Sequence, residues 1–372
     1  MSVAVSGESI TFNDNSVQNT AAKVGMVNRI INGSMTIDQR NAGASVSASA
    51  NSTNYFAVDR FLFQKVSGGV VTMQQSNTAP VGFSYSLKAL VATADSSVAA
   101  GDFANITQPI EGFNTADFGF GAAGASTATV SFWVRSNLTG TYGVALVNSV
   151  GNRSYVTNYT INAANTWEQK TITVAGDTSG TWLKDNSAGF LVRFGLMVGT
   201  NFQQTAGSWG TVNAMGSSSQ VNWMATVGND FYITGVQLEK GSTATSFDYR
   251  PYGTELALCQ RYGFQINIID SVVANRFGFG MANSTTKAYC GVVHPVPMRV
   301  KPSITISSTI ANYAVSDTTA GSYTTAISTQ SVTSDIYKTY LDLTVASGLT
   351  AFRPVFLEAA NTSGTMFLSS EL

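Results

Sequence analysis

Few side chains in this chain of 372 residues could perform acid–base or nucleophilic chemistry. The sequence has one histidine, His294, and any Ser-His-Asp or Cys-His site would have to use it. No G-x-S-x-G segment stands in the strand-turn-helix context that a serine nucleophile elbow requires. The two cysteines, Cys259 and Cys290, have no metal-ligand spacing and are predicted to be buried free thiols, although spacing alone does not exclude a bridge. We therefore expect His294 to be structural and the chain to hold no zinc.

Paired carboxylates are the other route to catalysis, because glycosidases work with two of them. The sequence has only seven glutamates, and aspartates such as Asp177, Asp185 and Asp230 lie in Gly- and Asn-rich stretches that are typical of turns. This scarcity of activated groups predicts that the protein is not an enzyme. A polysaccharide depolymerase remains a third hypothesis, because carboxylates distant in sequence can meet in space.

Aromatic side chains are the best indication of a binding function. A sugar ring stacks its C–H face on an exposed aromatic ring while neighbouring polar groups bond its hydroxyls. Trp182, Trp209 and Trp223 lie in polar, loop-like segments and are the predicted glycan-binding residues. Trp133 and Trp167 lie in strand patterns and are predicted to belong to sheets. The competing interpretation is packing, because a tryptophan is usually mostly buried.

The C-terminal part of the chain offers a second candidate receptor face. Its loops are predicted to carry Asn283, Tyr313, Tyr323 and Tyr337. Attachment proteins commonly expose their distal loops, so this face and the tryptophan set are equally reasonable at this point.

Composition limits the partners. Charged residues make up 11% of the chain, against about 25% in ordinary soluble domains, and the net charge is −1. Lysines and arginines are scattered singly, which predicts no nucleic-acid binding. No window approaches the roughly 18 apolar residues of a membrane span, and the N-terminus does not resemble a signal peptide, so no membrane insertion is expected.

Short strands with frequent glycine turns dominate the pattern of the chain. Residues 61–66 and 70–75 flank Gly68-Gly69 and read as a hairpin. Residues 130–135 alternate, with Val130, Phe132 and Val134 on one face. Many such runs predict an all-β fold: a jelly-roll β-sandwich followed by a second, smaller β-sandwich head.

Four segments are predicted along the chain. Residues 1–25 form a short N-terminal arm, residues 26–252 the jelly-roll module, residues 253–263 a helical linker and residues 264–372 the C-terminal β head. The arm cannot bury a core alone.

The junction between the two β modules carries a family resemblance. VQLEKGSTATSFDYRP (236–251), followed by ELALCQRY (255–262), resembles a segment of many tailed-phage fibre and receptor-binding proteins. In that family it separates a carbohydrate-binding-module-like jelly roll from a C-terminal head. Other segments that fit the family are NRIINGSMTIDQR (28–40), VDRF (58–61), QPIEG (108–112), SFWVRSNLTGTYG (131–143), PVPMRVKPSITIS (295–307) and FLSSEL (367–372).

The resemblance implies a virion protein of the tail fibre or capsid surface, made in the host bacterial cytoplasm. It also implies a homotrimer, whose weak glycan sites would act together. Residues 1–25 would contact other virion proteins, and a disordered terminus is an equally good description of them. The main hypothesis is non-catalytic attachment to host-surface glycans. The second is a structural decoration or joint protein of the capsid or tail, without a ligand.

The resemblance also raises the question of a structural calcium ion, which jelly-roll carbohydrate modules often hold near their terminal strands. Asp38, Asp59 and Glu239 are the acidic residues in the matching regions, and none lies in a D-x-D-x-D loop. We therefore favour an ion-free framework and predict no cofactor. Glu111 and Glu239 lie in family-like framework motifs, where a structural hydrogen bond is the simpler role.

Overall fold

The computed structural model describes residues 4–6, 9–11, 17–18, 25–267, 276–306, 309–317, 321–329, 334–360 and 365–372. Three short strands near the N-terminus pair as an antiparallel sheet in the order β1-β2-β3. Their bounds are β1 (Ala4–Ser6), β2 (Ser9–Thr11) and β3 (Val17–Gln18). These strands lie within the predicted arm.

The next thirteen strands form a sandwich of two antiparallel sheets. They are β4 (Val46–Ala48), β5 (Ser52–Val58), β6 (Phe61–Val66), β7 (Val70–Ser76), β8 (Ser86–Thr93), β9 (Phe103–Glu111), β10 (Ala128–Ser136), β11 (Gly140–Asn148), β12 (Ser154–Ile161), β13 (Glu168–Val174), β14 (Ala188–Val198), β15 (Trp209–Gly210) and β16 (Asp230–Lys240). One sheet has the order β13-β10-β16-β8-β7-β4, and the other has the order β15-β12-β11-β14-β9-β6-β5. The chain crosses repeatedly between the sheets, as in a jelly roll, which confirms the predicted class.

The sandwich is held together by apolar side chains at alternate strand positions. Val130, Phe132 and Val134 of β10 are fully buried between the sheets, as their alternation predicts. Short 3-10 turns lie at Gly112–Asn114, Ala116–Phe118, Thr200–Phe202, Trp223–Ala225 and, in the C-terminal unit, Ile310–Asn312.

Helix α1 (Tyr252–Gln260) lies in the predicted linker. It is packed rather than free, because Cys259 and the following Tyr262 share a buried cluster with Ile31 and Ile37 from the start of the sandwich. No helix in the described part of the chain is long and apolar enough to span a membrane.

The described residues of the C-terminal unit form nine strands. They are β17 (Gly263–Asn267), β18 (Arg276–Ala282), β19 (Lys287–Val293), β20 (Ser303–Ile306), β21 (Tyr313–Ser316), β22 (Gly321–Thr329), β23 (Lys338–Val345), β24 (Pro354–Ala359) and β25 (Thr365–Ser369). Six of them close into a barrel in the order β18-β19-β23-β22-β21-β24, and a three-stranded sheet, β17-β25-β20, accompanies it. The head is therefore all-β as predicted, and closure of its main sheet makes it a barrel rather than an open sandwich.

Candidate functional site

Two of the three predicted tryptophans come together at one edge of the sandwich. The rings of Trp182 and Trp209 lie 5.5 Å apart, and Trp182 also packs on Phe120 and Phe190 at 4.9 and 4.6 Å. The Trp182 indole N–H donates to Ser179 O at 3.1 Å. Trp182 is only 6% exposed, so it has no free face for a sugar ring.

Trp223 lies apart from that pair. Its side chain is fully buried in the sandwich core, and its indole N–H donates to the backbone carbonyl of Asp230 at 3.1 Å. The polar neighbours of Trp182 and Trp223 in the sequence indicated loops correctly, but both rings turn inward from those loops. The prediction that Trp182 and Trp223 stack on a glycan is therefore corrected to a packing role.

Trp209 is the one residue of the predicted set with a partly open ring. Its indole N–H donates to Ala175 O at 2.8 Å, and Arg153 lies over the ring at 5.9 Å from its centroid. Arg153 is in turn held by Asp177 at 2.6 and 2.7 Å. Trp209 covers the sandwich edge, and its role in binding stays a prediction.

The barrel exposes several large apolar side chains, most of them aromatic, although exposed rings also occur outside the barrel. We name the following set the aromatic face; its members are between 37% and 74% exposed: Phe279, Met281, Tyr289, Val293, Tyr337 and Phe352. Strand register makes the members on β18 and β19 neighbours, since Met281 stands opposite Tyr289 and Phe279 opposite Gly291. Val293 stands opposite Lys338, which follows Tyr337. Exposed rings in one patch can stack on the C–H faces of sugars.

Barrel closure explains why these residues face solvent. Along β18, Gly278 and Ala282 are buried, while Phe279 and Met281 are exposed. Along β19, Ala288 and Cys290 are buried, and Tyr289 is exposed. The interior is already filled by leucines and valines of the other barrel strands, so β18 and β19 turn mainly small residues inward and their larger alternate residues point outward.

Polar groups border the aromatic face. The Asn283 amide lies 3.5 Å from the Tyr289 hydroxyl, and Asp342 stands opposite Tyr289 in the β19–β23 ladder. Gly291 pairs with both Phe279 and Tyr340, and the Tyr340 ring lies against Gly291. The face therefore combines open rings with hydrogen-bonding groups beside Tyr289.

The C-terminal residues singled out from the sequence divide into two groups. Asn283 and Tyr337 are exposed, as a receptor face requires. Tyr313 is buried and its hydroxyl donates to Thr365 O, so its predicted exposure is wrong. The side chain of Tyr323 lies outside the described residues.

Sequence reasoning missed Phe279, Met281 and Tyr289. A signal for two of them was present: the β18 segment RFGFGMA alternates large apolar residues with glycine and alanine. In a half-buried strand the large residues normally face the core. Here the small residues do so, and only the closed barrel reveals this inversion.

The histidine and the cysteines occupy structural positions. His294 Nδ1 lies 2.8 Å from Ile336 O and Nε2 lies 2.9 Å from Thr339 Oγ1, so both ring nitrogens are engaged. Burial lowers the pKa of His294 and raises the pKa of the Cys290 thiol to about 12. Both cysteines are free and buried, as predicted.

The acidic residues considered for calcium each bond protein donors. Asp38 accepts from Gly43 N at 2.7 Å, Asp59 accepts from Gln39 N at 3.1 Å, and Glu239 accepts from Thr245 N at 2.9 Å. Burial raises the pKa of Asp59 to about 7. The described residues contain no group of three or more His, Cys, Asp or Glu that could hold a metal ion.

No protein-family model matches this chain, and no curated protein is similar to it in sequence. Solved structures with a similar fold include the enzymatically active domain of tailspike protein 4 from bacteriophage CBA120, at 15% identity and a TM-score of 0.31. That match covers 57% of this chain and 21% of the tailspike chain, so this chain spans about a fifth of its length. They also include the family 11 carbohydrate-binding module from Clostridium thermocellum, at 11% identity and a TM-score of 0.28, covering 51% of this chain and 95% of the module. A family 22 module from the same organism matches at 14% identity and a TM-score of 0.29, covering 53% and 99%.

Proposed function

We propose that this protein is a non-catalytic attachment protein of a tailed-phage virion that binds host-surface glycans through the aromatic face of its barrel. The observation that carries the proposal is the outward alternation of Phe279, Met281 and Tyr289 on two paired strands. Exposing such rings to water is unfavourable unless a partner covers them, so contiguous exposed apolar patches mark interaction sites.

The polar border favours a sugar as that partner. A pyranose ring presents an apolar C–H face and a rim of hydroxyls, and it needs a flat ring with donors and acceptors beside it. Tyr289 supplies the ring, and Asn283 and Asp342 supply an amide and a carboxylate next to it. Stacking of this kind is weak at each site, so a homotrimer would raise the apparent affinity through valency.

The proposal places the protein in the tail fibre or on the capsid surface. The N-terminal arm, residues 1–25, would contact other virion proteins, and the resemblance of the junction segment supports this assignment. Neither a cofactor nor a metal is part of the proposed binding chemistry.

A second candidate function is a structural joint without a ligand. The observation that favours it is the dense polar contact between the sandwich and the head. Arg299 donates to Asn186 O at 3.0 Å across this boundary and to Ser370 O at 2.7 Å within the head. Such contacts suit an element that holds two parts of a fibre at a fixed angle.

An array of bacterial surface polysaccharides distinguishes the candidates, with the Phe279→Ala variant beside the wild type. The matched control is Phe113→Ala, because Phe113 is 62% exposed against 67% for Phe279 but belongs to the sandwich. Attachment predicts that the wild type and Phe113→Ala bind the same glycans and that Phe279→Ala loses most of the signal. A wild type that binds no glycan would contradict the proposal and favour the joint.

The depolymerase remains a third hypothesis with a simple test. Prolonged incubation of the purified protein with a bound polysaccharide should release no oligosaccharides if attachment is non-catalytic. Released products of defined length would show turnover and would overturn the non-catalytic part of the proposal.

A further inference from the structure

The outer face of the seven-stranded sheet carries two adjoining clefts beneath the segment 199–222. The first, which we name the polar cleft, has a volume of about 300 Å³ and is lined by hydroxyl and amide side chains that include Asn158, Gln203, Gln204 and Ser219. The second, which we name the valine cleft, has a volume of about 200 Å³ and includes Val98, Val198 and Val221. Gln203 lines both clefts, so they meet at its side chain.

The lining of the polar cleft determines what it could bind. Among the described residues that line it, none is charged. An ionic ligand would therefore lose its water without gaining a counter-charge, which is costly. A neutral ligand rich in hydroxyl groups matches the lining, because amides and hydroxyls both donate and accept hydrogen bonds.

Internal hydrogen bonds hold the amides of the polar cleft in fixed orientations. Asn158 Nδ2 donates to Ser219 Oγ at 3.0 Å, and Asn158 Oδ1 accepts from Ser217 Oγ at 2.9 Å. Gln204 Nε2 donates to Ser208 O at 2.7 Å. Groups ordered before binding cost little entropy when a ligand arrives, so these amides are arranged in advance.

Gln203 is the residue that a ligand would meet on passing between the clefts. Its Nε2 donates to Val198 O at 2.8 Å, which fixes the amide. Its Oε1 accepts no hydrogen bond from any residue that the structure describes. This carbonyl oxygen is available to a ligand hydroxyl at the point where the two clefts join.

The valine cleft complements the polar cleft. Val98, Val198 and Val221 offer aliphatic surface, and Asn222 and Thr200 supply polar groups at the same cleft. A sugar ring has the same division, with C–H groups on one face and hydroxyls around its edge. A ligand of two linked rings would place hydroxyls in the polar cleft and a C–H face on the valines.

We propose that the two clefts form a binding site for two linked neutral sugar units, with Gln203 between them. This site lies on the sandwich and does not depend on the aromatic face of the barrel. The protein would then contact a polysaccharide through two different surfaces of one chain.

The test uses saturation-transfer NMR on the full chain carrying Phe279→Ala and Tyr289→Ala, which removes the rings of the aromatic face. The probes are a panel of neutral disaccharides and their component monosaccharides. We expect at least one disaccharide to bind, and its monosaccharides to bind at least tenfold more weakly. Absence of any disaccharide signal up to about 10 mM would overturn the inference. That concentration lies above the roughly millimolar dissociation constants of weak specific binding.

Two cleft variants complete the experiment. Gln203→Ala removes the shared amide, and Ser219→Phe fills the polar cleft from an exposed position. Each should reduce disaccharide binding at least tenfold, with the melting temperature recorded to confirm folding. Should Gln203→Ala unfold the protein, Ser219→Phe decides the matter. Unchanged disaccharide binding in a folded cleft variant would contradict the proposed two-cleft site. This outcome does not depend on the array result for Phe279→Ala, which tests the aromatic face.

Discussion

Glu111 and Arg261 form a two-point ion pair between the sandwich and the end of helix α1. Arg261 Nε donates to Glu111 Oε2 at 2.9 Å, and Nη2 donates to Oε1 at 2.5 Å. The Tyr262 hydroxyl donates to the same carboxylate at 2.7 Å. Glu111 is almost completely buried, so these partners offset the cost of removing its carboxylate from water. The sequence motifs QPIEG and ELALCQRY thus meet in space although 150 residues separate the paired side chains.

The first prediction concerns this pair. Arg261→Ala removes the ion-pair partner of the buried Glu111 carboxylate and should lower the free energy of unfolding by roughly 2–3 kcal/mol. The expected loss is smaller than for a fully buried pair because the Arg261 side chain is one-third exposed. Denaturant unfolding measures the change. Adding Glu111→Gln to Arg261→Ala should recover part of the loss, since the uncompensated charge disappears. Equal stability of wild type and Arg261→Ala would show that the ion pair does not hold the junction.

The second prediction is a pH dependence at Asp59. Burial raises the pKa of Asp59 from 3.8 to about 7, although hydrogen bonds from Gln39 favour the charged form. A carboxyl whose pKa is higher in the folded protein than in the unfolded chain contributes its full stabilisation only below the pKa of the unfolded chain. This contribution is lost as the pH rises to the pKa of the folded protein, about 7. Over that interval the free energy of unfolding should fall by up to about 4 kcal/mol relative to an Asp59→Asn variant.

Thermal unfolding at pH 4 to 8 checks this second prediction. The difference in stability between wild type and Asp59→Asn should grow with pH and level off above pH 7, where Asp59 is ionised in the folded protein. Parallel curves for the two proteins would mean that Asp59 titrates near its ordinary pKa.

The third prediction separates packing from binding at the tryptophans. Trp182→Ala removes a buried ring from the cluster with Phe120 and Phe190 and should cost about 3–5 kcal/mol. Trp209→Ala should cost clearly less, because its ring is partly exposed. Chemical unfolding of both variants gives the comparison. A Trp182→Ala protein as stable as the wild type would contradict the packing role assigned to Trp182.

The fourth prediction compares two glycines. Gly280 lies in β18 where an added Cβ would stand 1.7 Å from Tyr289 O, so Gly280→Ala should destabilise the barrel by at least about 2 kcal/mol. Gly253 lies in α1 with open space around its Cβ position, so Gly253→Ala should stabilise the protein by up to about 1 kcal/mol. Melting temperatures that shift in the same direction in both variants would contradict this assignment.

Much of the fold could be predicted because strand periodicity is local. The alternation in residues 130–135 fixed the buried face of β10, and Val130, Phe132 and Val134 are buried as expected. The all-β class follows from many such runs together. The domain boundaries inferred from sequence stay a prediction.

The candidate site could not be predicted because burial in this chain depends on long-range closure. Trp182 lies in a polar loop, but Phe120 from a distant segment and Phe190 from the following strand pack against its ring. Phe279 lies in a strand whose large residues would normally face a core. Pairing of β18 with both β19 and β24 completes the barrel, and on β18 it is Gly278 and Ala282 that face the interior.

The central claim is that the aromatic face binds a host glycan, and calorimetric titration of one purified surface oligosaccharide tests it most directly. The titration compares the wild type, the Phe279→Ala/Tyr289→Ala double variant and the Phe113→Ala control, each with its oligomeric mass measured. We predict that the control keeps the wild-type Kd at 50 and 500 mM salt, because stacking and neutral hydrogen bonds depend little on salt. The double variant should bind at least tenfold more weakly at unchanged mass, a loss of about 1.4 kcal/mol or more. An unchanged Kd in the double variant, or a loss of binding that accompanies a fall in mass, would contradict the account.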